Sequence, residues 1–390
     1  MLAHVTDWLA LLFRWFHVVM GAAWIGTSFY FNWLNNNVRA PEKPREGVGG
    51  ELWSVHGGHF YQVVKYANAP PKLPATLHWF KFEAYLTWVS GFVLLCLVYY
   101  LGAESFLVDP GSPFGALPTI GIGIGSLLLS WVAYDLACKS PLARSPVAFA
   151  AVGFVAMTAA AFGLSEVMAP RAAYIHVGAM LGTMMAWNVF FVIIPNQRVA
   201  VDAMTRGEVP DPALGQAASL RSLHNNYITL PVLFIMVSNH YPVMFGHGWN
   251  WALLAALSLL GAGVRHWFNL SGRGEKNVWI LPVATVGILA LALVSRPSTP
   301  EAADAPQVST TQAMGIIAER CLPCHSANPT NEAFPVAPMG VTYDTPEQIS
   351  ARLQMIKERT VDTESMPLGN LTGMTPEERV LLGAWIDQQE

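Results

Sequence analysis

The chain has 390 residues, of which 53% are hydrophobic and only 12% are charged. This balance excludes an ordinary soluble globular protein and is typical of a membrane protein. The formal net charge of −4, without a basic stripe, gives no sign of a nucleic-acid partner, and the four cysteines are too few and too scattered for a disulfide framework.

Eight apolar runs occupy residues 1–296, and each is long enough to cross a hydrocarbon core of about 30 Å as a helix. We therefore predict an all-α fold built on an eight-helix transmembrane bundle. The N-terminus has no basic region and no clear cleavage site, so we interpret it as a retained first helix. The predicted spans are 8–34, 77–101, 117–138, 146–165, 172–195, 222–239, 249–268 and 278–295.

Lysine and arginine are concentrated in alternate loops, those that follow the first, third, fifth and seventh spans. The positive-inside rule places these loops in the cytoplasm. The opposite loops, 102–116, 166–171 and 240–248, contain only one lysine or arginine, Arg171. The charge pattern therefore predicts a multi-pass protein with both termini outside the cytoplasm.

A composition change after the last span divides the chain. Residues 297–307 are rich in Pro, Ala, Ser and Thr and predict an extended linker. Residues 308–390 form a polar domain of about 80 residues, a size that usually needs a metal or cofactor for stability. A short helix is predicted to end at Cys321, and Thr375 with Pro376 predicts the start of a second helix.

Cys321, Cys324 and His325 form a C-x-x-C-H motif. In such a motif two thiols bond to the vinyl groups of a haem and the histidine ligates its iron. The alternatives are a zinc site, which needs more ligands than the tail offers, and a redox dithiol, which does not require the histidine. We therefore predict a covalently bound haem c and interpret residues 308–390 as a small c-type cytochrome domain.

Met366 is the predicted sixth ligand of the haem iron. It precedes Pro367, which fixes the local backbone in a loop. A thioether ligand raises the reduction potential and makes the iron a good electron acceptor. The rival methionines in the tail are Met339, Met355 and Met374.

Ionisable side chains within spanning helices are costly and usually mark a pathway, a cofactor or a substrate site. His17 and His176 each lie within an apolar run and are followed by small residues. We assign both to an outer layer, where histidines from facing helices could ligate a second haem, of b type. Close helix packing explains the small residues equally well, so both interpretations stay open.

A second polar layer is predicted toward the cytoplasmic face. It contains His78, Lys81 and Glu83 near the start of the second span and Arg265 late in the seventh. Lys81 and Glu83 could form an ion pair, or they could bind a planar anion and move its protons. A third interpretation is that residues at a helix end extend to the membrane–water interface without any function. Side-chain amides in this layer would suit the edge of a heterocycle: Asn188, Asn196, Gln197, Asn225 and Asn226.

Four segments, which begin HVVMGAAW, NAPPKLPA, HVGAMLGT and RSLHNNYI at residues 17, 68, 176 and 221, resemble the bacterial membrane-bound urate oxidases. In that family an eight-helix domain is fused to a C-terminal cytochrome c. The resemblance implies oxidation of urate to 5-hydroxyisourate, which opens purine-ring degradation. It also implies an inner-membrane protein with a periplasmic cytochrome domain, which passes electrons to a terminal oxidase or a soluble cytochrome.

The resemblance supplies no catalytic residues, so these are inferred from the inner layer. Glu83 or a histidine such as His78 would act as base, with Lys81 and Arg265 holding the negative charge of urate. A haem in the tail domain, outside the cytoplasm, lies far from the inner polar layer. Either urate binds near the outer histidines, or an intramembrane haem relays electrons between the two layers. Two other functions stay open: a cytochrome that oxidises quinol or another small reductant, and an electron carrier on a transport or anchor bundle.

Overall fold

The computed structural model describes residues 2–296, 306–332 and 334–389, and most of these residues are helical. Before residue 297 the described helices are α1 (Leu2–Asn37), α2 (Phe82–Leu95), α3 (Ala103–Phe106), α4 (Ala116–Lys139), α5 (Pro146–Ser165), α6 (Pro170–Trp187), α7 (Ile194–Thr205), α8 (Pro212–Ser238), α9 (Pro242–Phe245), α10 (Asn250–Gly272) and α11 (Ile280–Val294). The described tail helices are α12 (Thr310–Arg320), α13 (Pro346–Ser350), α14 (Leu353–Lys357) and α15 (Pro376–Asp387).

Within the described residues, six helical segments are long and apolar enough to cross a membrane: His4–Asn37, Phe82–Tyr100, Ala116–Lys139, Pro146–Ser165, Pro170–Thr205 and Asn250–Gly272. They overlap the first five predicted spans and the seventh. The sixth predicted span lies in α8, which is too polar to meet the same criterion. The eighth corresponds to α11, which at 15 residues is shorter than a bilayer usually requires.

The second span starts later than the predicted residue 77. Three prolines lie in the segment before α2, at positions 70, 71 and 74. Helix α2 begins at Phe82, Lys81 is its N-cap residue, and His78 lies outside the helix. Five residues that continue α2, Cys96–Tyr100, form a π-helical segment.

A β-hairpin between α1 and α2 corrects the all-α prediction. Strands β1 (Val48–His56) and β2 (His59–Tyr66) pair antiparallel, with His56 opposite His59. The turn is made by Gly57 and Gly58, both with positive φ, as a tight two-residue hairpin turn requires. The signal was present in the sequence, since a Gly-Gly pair joins two runs of strand-forming residues.

Helix α6 lies at the centre of the bundle and packs against α2, α4, α5 and α8. Its small residues, such as Ala172 and Gly178, allow these neighbours to approach closely. A π-helical turn, Asn188–Ile193, joins α6 to α7 and makes one continuous helical segment. This segment is the most extensively buried of the six apolar ones.

The tail has its own hydrophobic core. Ile317, Ile349, Leu382 and Ile386 are almost completely buried there. Helix α12 ends just before Cys321, and Thr375 caps α15 with Pro376 at its first position, as predicted. The predicted linker lies outside the described residues except for positions 306 and 307.

One ion pair joins the two main helices of the tail, α12 and α15. Arg320 Nη2 lies 2.9 Å from Glu378 Oε1, and this guanidinium holds the pKa of the Glu378 carboxyl below its usual range. The ion pair therefore stabilises the folded tail above the unfolded pKa of about 4.3, and this contribution is lost as the pH falls through the lower, folded-state value.

We expect Glu378→Gln to increase hydrogen exchange of the α15 amides at neutral pH, because the ion pair is lost. In the wild-type protein this exchange should increase as the pH falls below about 4.3, and the variant should lack part of that acid-induced increase. Glutamine still accepts the hydrogen bond from the Thr375 amide in the capping box, so the change isolates the charge. The control is Glu319→Gln, because Glu319 is 72% exposed and lies 3.7 Å from Arg320. Equal exchange in the two variants would contradict the assignment.

Candidate functional site

The C-x-x-C-H motif forms a compact turn directly after α12. The amides of Cys324 and His325 both donate to the Cys321 carbonyl, at 3.1 and 2.8 Å. This turn brings two thiols and one imidazole into a single short loop. Both cysteines are free thiols, and burial raises the pKa of Cys321 to about 12 and also raises that of Cys324. A redox-active dithiol has the opposite property, a lowered pKa.

The imidazole of His325 is oriented by a backbone contact. Its Nδ1 donates to the carbonyl of Val341 at 3.0 Å, because a carbonyl can only accept. This bond fixes the neutral tautomer and leaves Nε2 as a lone-pair donor, which is the arrangement found in histidines that ligate metals. The donor set of the loop therefore fits a covalently bound haem.

The four methionines considered as the sixth ligand differ in exposure. Met339 is 99% exposed and Met355 is 46% exposed, whereas Met374 is buried in the hydrophobic core of the tail. Met366 is half-buried in a loop. Its amide donates to Arg359 O at 2.8 Å and its carbonyl accepts from Arg379 Nη1 at 2.7 Å. The backbone of the predicted sixth ligand is thus held on both sides.

A buried arginine occupies the interface of α1, α8 and α10. Arg265 is 7% exposed, its Nε donates to Asn226 Oδ1, and its guanidinium lies 4.1 Å from the centre of the Phe29 ring. None of the ion pairs among the described residues includes Arg265. A buried cation without a carboxylate is costly, so this interface is suited to receive an anion.

The same interface contains an unpaired amide. Asn226 Nδ2 donates to Asn269 Oδ1 at 2.9 Å, but the buried Asn269 Nδ2 has no hydrogen-bond partner. Leaving such a donor unsatisfied costs about 1–3 kcal/mol. Arg265 and Asn269 are four residues apart and lie on one face of α10. A guanidinium, an amide donor and a phenyl ring can together bind a planar heterocyclic anion.

The structure does not bring Arg265 together with the other three predicted catalytic residues. Arg265 contacts Phe29 of α1, whereas His78 contacts Phe80, which in turn contacts Phe31, also of α1. Residues two apart on a helix point in nearly opposite directions. The two groups therefore lie on different sides of α1.

Near the start of α2, the predicted charges do not pair. The ammonium of Lys81 lies 4.9 Å from the centre of the Phe82 ring. Glu83 is half-buried in the first turn. No ion pair among the described residues joins Lys81 to Glu83, and His78 is exposed.

A second buried polar network joins α4, α6 and α8. Arg221 Nη2 lies 2.6 Å from Asp135 Oδ1, and Arg221 Nη1 donates to Asn188 Oδ1 at 3.2 Å. Asn188 Nδ2 donates to Asn225 Oδ1 at 2.8 Å and to the Tyr134 hydroxyl at 2.9 Å. The charge of this arginine is balanced by a carboxylate, so the network is a closed structural connection rather than an open anion site.

The two predicted histidines of a second haem lie against different parts of α2. His17 Nδ1 donates to Thr87 O at 2.9 Å and its ring packs on Gly91. His176 Nδ1 donates to Ala172 O at 2.8 Å, and its Nε2 lies 3.2 Å from the Tyr100 hydroxyl. Gly91 and Tyr100 are nine residues apart, about 13 Å of helix rise. His17 and His176 therefore lie at different levels along this helical segment, and the structure does not bring the pair to one iron.

Some site residues were missed by sequence reasoning. Asn269 follows Arg265 by one helical turn, and this spacing could have identified it. Arg221 lies just before the predicted sixth span, 222–239, although its spacing from Asn225 is the same and places both on one face of α8. Nothing in the sequence distinguishes Phe29, because an aromatic residue in an apolar run does not show which side chain it will contact.

The contact between α4 and His176 gives a test of the helix packing. A methyl group added at Gly123 would lie 2.6 Å from His176 Nε2, whereas nothing lies within 4 Å of a methyl group at Gly125. We expect Gly123→Ala to lower the free energy of unfolding by about 1–3 kcal/mol through overpacking. Gly125→Ala should leave it unchanged or raise it by up to about 1 kcal/mol. Thermal unfolding of the detergent-solubilised protein measures both, and equal melting temperatures would contradict this packing.

Comparison with known families identifies the part of the chain that contains the helical bundle. The model of the urate oxidase N-terminal family matches residues 3–296. No curated protein and no solved structure gives a significant match. The matched region covers most of the chain and includes the Arg265 interface. The chain therefore belongs to the urate oxidase N-terminal family, which makes it an oxidoreductase whose substrate is urate.

Proposed function

We propose that this protein oxidises urate to 5-hydroxyisourate within a membrane and passes the electrons to a c-type haem bound in residues 308–390. The family match over residues 3–296 is the observation that carries the substrate. From the haem, the electrons would continue to a terminal oxidase or a soluble cytochrome. The proposed location is the bacterial inner membrane, with the tail on the periplasmic side.

The Arg265 interface is the proposed urate site. Urate is a planar anion with carbonyl oxygens and ring nitrogens at its edge. Arg265 supplies a positive charge without a carboxylate partner among the described residues, and Asn269 supplies an unpaired donor. The ring of Phe29 supplies an aromatic surface next to both. This combination matches the charge, the hydrogen-bonding edge and the flat face of the substrate.

The surfaces of the apolar helices support a membrane location. Leu129, Val155 and Leu289 are 70%, 65% and 59% exposed and lie on three different helices. Apolar side chains exposed on this scale need a nonpolar environment. The hydrocarbon core of a bilayer provides it.

The haem c proposal rests on the donor set of the tail. Cys321 and Cys324 would bond to the porphyrin, His325 Nε2 would ligate the iron, and the Met366 thioether would be the sixth ligand. When bound, the haem supplies a one-electron acceptor, so each urate requires two successive transfers. The proposal does not include a b-type haem shared by His17 and His176, because those side chains lie at different levels of the bundle.

The reaction removes two electrons and two protons from urate and then adds one whole water molecule, as a hydroxyl group and a hydrogen, to the dehydrogenated ring. Arg265 would hold the negative charge, and Asn269 and Asn226 would orient the ring so that one face stays open to water. Glu83, Lys81 and His78 lie across α1 from Arg265, so they would not contact the urate itself. Glu83, a half-buried carboxylate without an ion-pair partner among the described residues, is the proposed final proton acceptor, reached through water with Lys81 and His78 beside it.

We expect Asn269→Leu to raise the KM for urate by about tenfold, the effect of losing one hydrogen bond to a charged ligand. The melting temperature should fall modestly, because the variant removes the unsatisfied Asn269 donor but leaves the buried Asn226 Nδ2 without its acceptor. The assay follows urate-dependent reduction of the haem in membranes.

Arg265→Gln should raise the KM further, whereas the exposed Arg273→Gln is the matched control and should not change it. Glu83→Gln should lower kcat with little change in KM. An unchanged KM in both Arg265→Gln and Asn269→Leu would remove urate from this interface.

We expect Met366→Ala to abolish the iron–sulfur absorption band of the oxidised protein and leave the haem covalently attached. Met339→Ala is the matched control because its side chain is fully exposed. A pyridine haemochrome spectrum counts the c-type and b-type haems in the same sample. A band that survives in Met366→Ala would assign the sixth position to another residue.

The same reduction assay separates the other functions. Rapid reduction of the haem by quinol, with none by urate, would favour a quinol-oxidising cytochrome. Reduction by neither would favour an electron-carrier domain on a transport or anchor bundle. Reduction by urate in wild-type membranes is the result that we expect.

A further inference from the structure

The tail contacts the bundle through two glycines. A methyl group added at Gly369 would lie 3.0 Å from Ser105 O and 3.1 Å from Glu104 O, both in α3. One added at Gly246, directly after α9, would lie 2.6 Å from Thr363 O. At both points the backbones are so close that a side chain would have to push them apart. We refer to α3, Gly246 and residues 363–369 as the docking contact.

The tail half of the docking contact carries Met366. This residue lies between Thr363 and Gly369, two tail positions that lie against the bundle. Its backbone is held by Arg359 and Arg379, so the loop is tied to the rest of the tail. The docking contact therefore fixes the position of Met366 relative to the bundle.

The bundle half lies over a buried polar cluster. Tyr100 precedes α3 by three residues, and Asn239 precedes α9 by three residues. The Tyr99 hydroxyl and Arg171 Nε both donate to Asn239 Oδ1, at 3.1 and 2.7 Å, while Tyr100 contacts His176. Helices α3 and α9 also belong to the loops that the charge pattern places outside the cytoplasm. The docking contact is thus at the outer end of the bundle.

We propose that the docking contact is the face through which electrons enter the haem, with Gly246 and Gly369 as its positioning residues. The inference rests on the proposed function. The rate of electron transfer falls steeply with distance, and direct backbone contact would keep the Met366 side of the haem-binding tail close to the bundle. Each transfer reduces one ferric iron to ferrous iron. Urate supplies two electrons, its two protons leave to water, and the terminal oxidase or soluble cytochrome reoxidises the iron.

Two pairs of variants in the full-length protein test this proposal. Gly246→Val forces the docking contact apart, and Gly248→Val is its control because nothing lies within 4 Å of Gly248. Gly369→Ala adds a methyl group against α3. Its control is Gly373→Ala, since Gly373 also has a positive φ but faces open space. The control therefore carries the same backbone strain without the clash.

Two measurements give the result. In Gly246→Val and Gly369→Ala we expect faster hydrogen exchange in residues 103–108 and 363–371, and a urate-driven rate of haem reduction at least about tenfold lower. The iron–sulfur band and reduction by dithionite should match wild type. Both controls should behave as wild type in both measurements.

The outcomes separate the inference from the function beneath it. Unchanged exchange in both glycine variants would overturn the docking contact, whatever the substrate. Faster exchange with an unchanged rate of haem reduction would overturn its role in electron entry. If urate fails to reduce the haem of the wild-type protein, the proposed function fails, and the electron-entry role fails with it.

Discussion

A positive charge buried between apolar helices is the constraint on which the proposed chemistry depends. In a nonpolar environment, each polar group must find its partner within the protein or in a ligand. Arg221 meets this requirement through Asp135 and a chain of amides. Arg265 forms no ion pair among the described residues, and it contacts an amide oxygen and a phenyl ring instead. The contrast between the two arginines distinguishes a structural connection from a binding site.

Backbone carbonyls set the orientation of three histidines in this chain. His17, His176 and His325 each donate an Nδ1 hydrogen bond to a main-chain oxygen, which leaves Nε2 as the atom that can accept a proton or ligate a metal. The role of each Nε2 depends on its surroundings. His325 lies beside two thiols, whereas the Nε2 of His176 is engaged by Tyr100. The same local geometry thus supports ligation in one place and packing in another.

Sequence reasoning located the elements whose signal is local. The helix before Cys321 and the cap at Thr375 can be predicted from short-range patterns, and both are confirmed. The hairpin at 48–66 was missed because its strand pattern lies within a loop between two strong helical signals. The predicted quartet of Arg265, His78, Lys81 and Glu83 shares a depth in the membrane, but depth does not determine which side of α1 a residue faces. That information depends on helix rotation, which the apolar pattern of a membrane helix leaves poorly determined.

The docking contact bears on how the proposed haem could serve two partners. The tail and the bundle belong to one chain, so the effective concentration of each at the other is high. A contact built from a few backbone atoms around Gly246 and Gly369 can then be occupied most of the time with little intrinsic affinity. It can also open quickly. Once open, it would present the Met366 face of the tail to the acceptor that takes the electron onward.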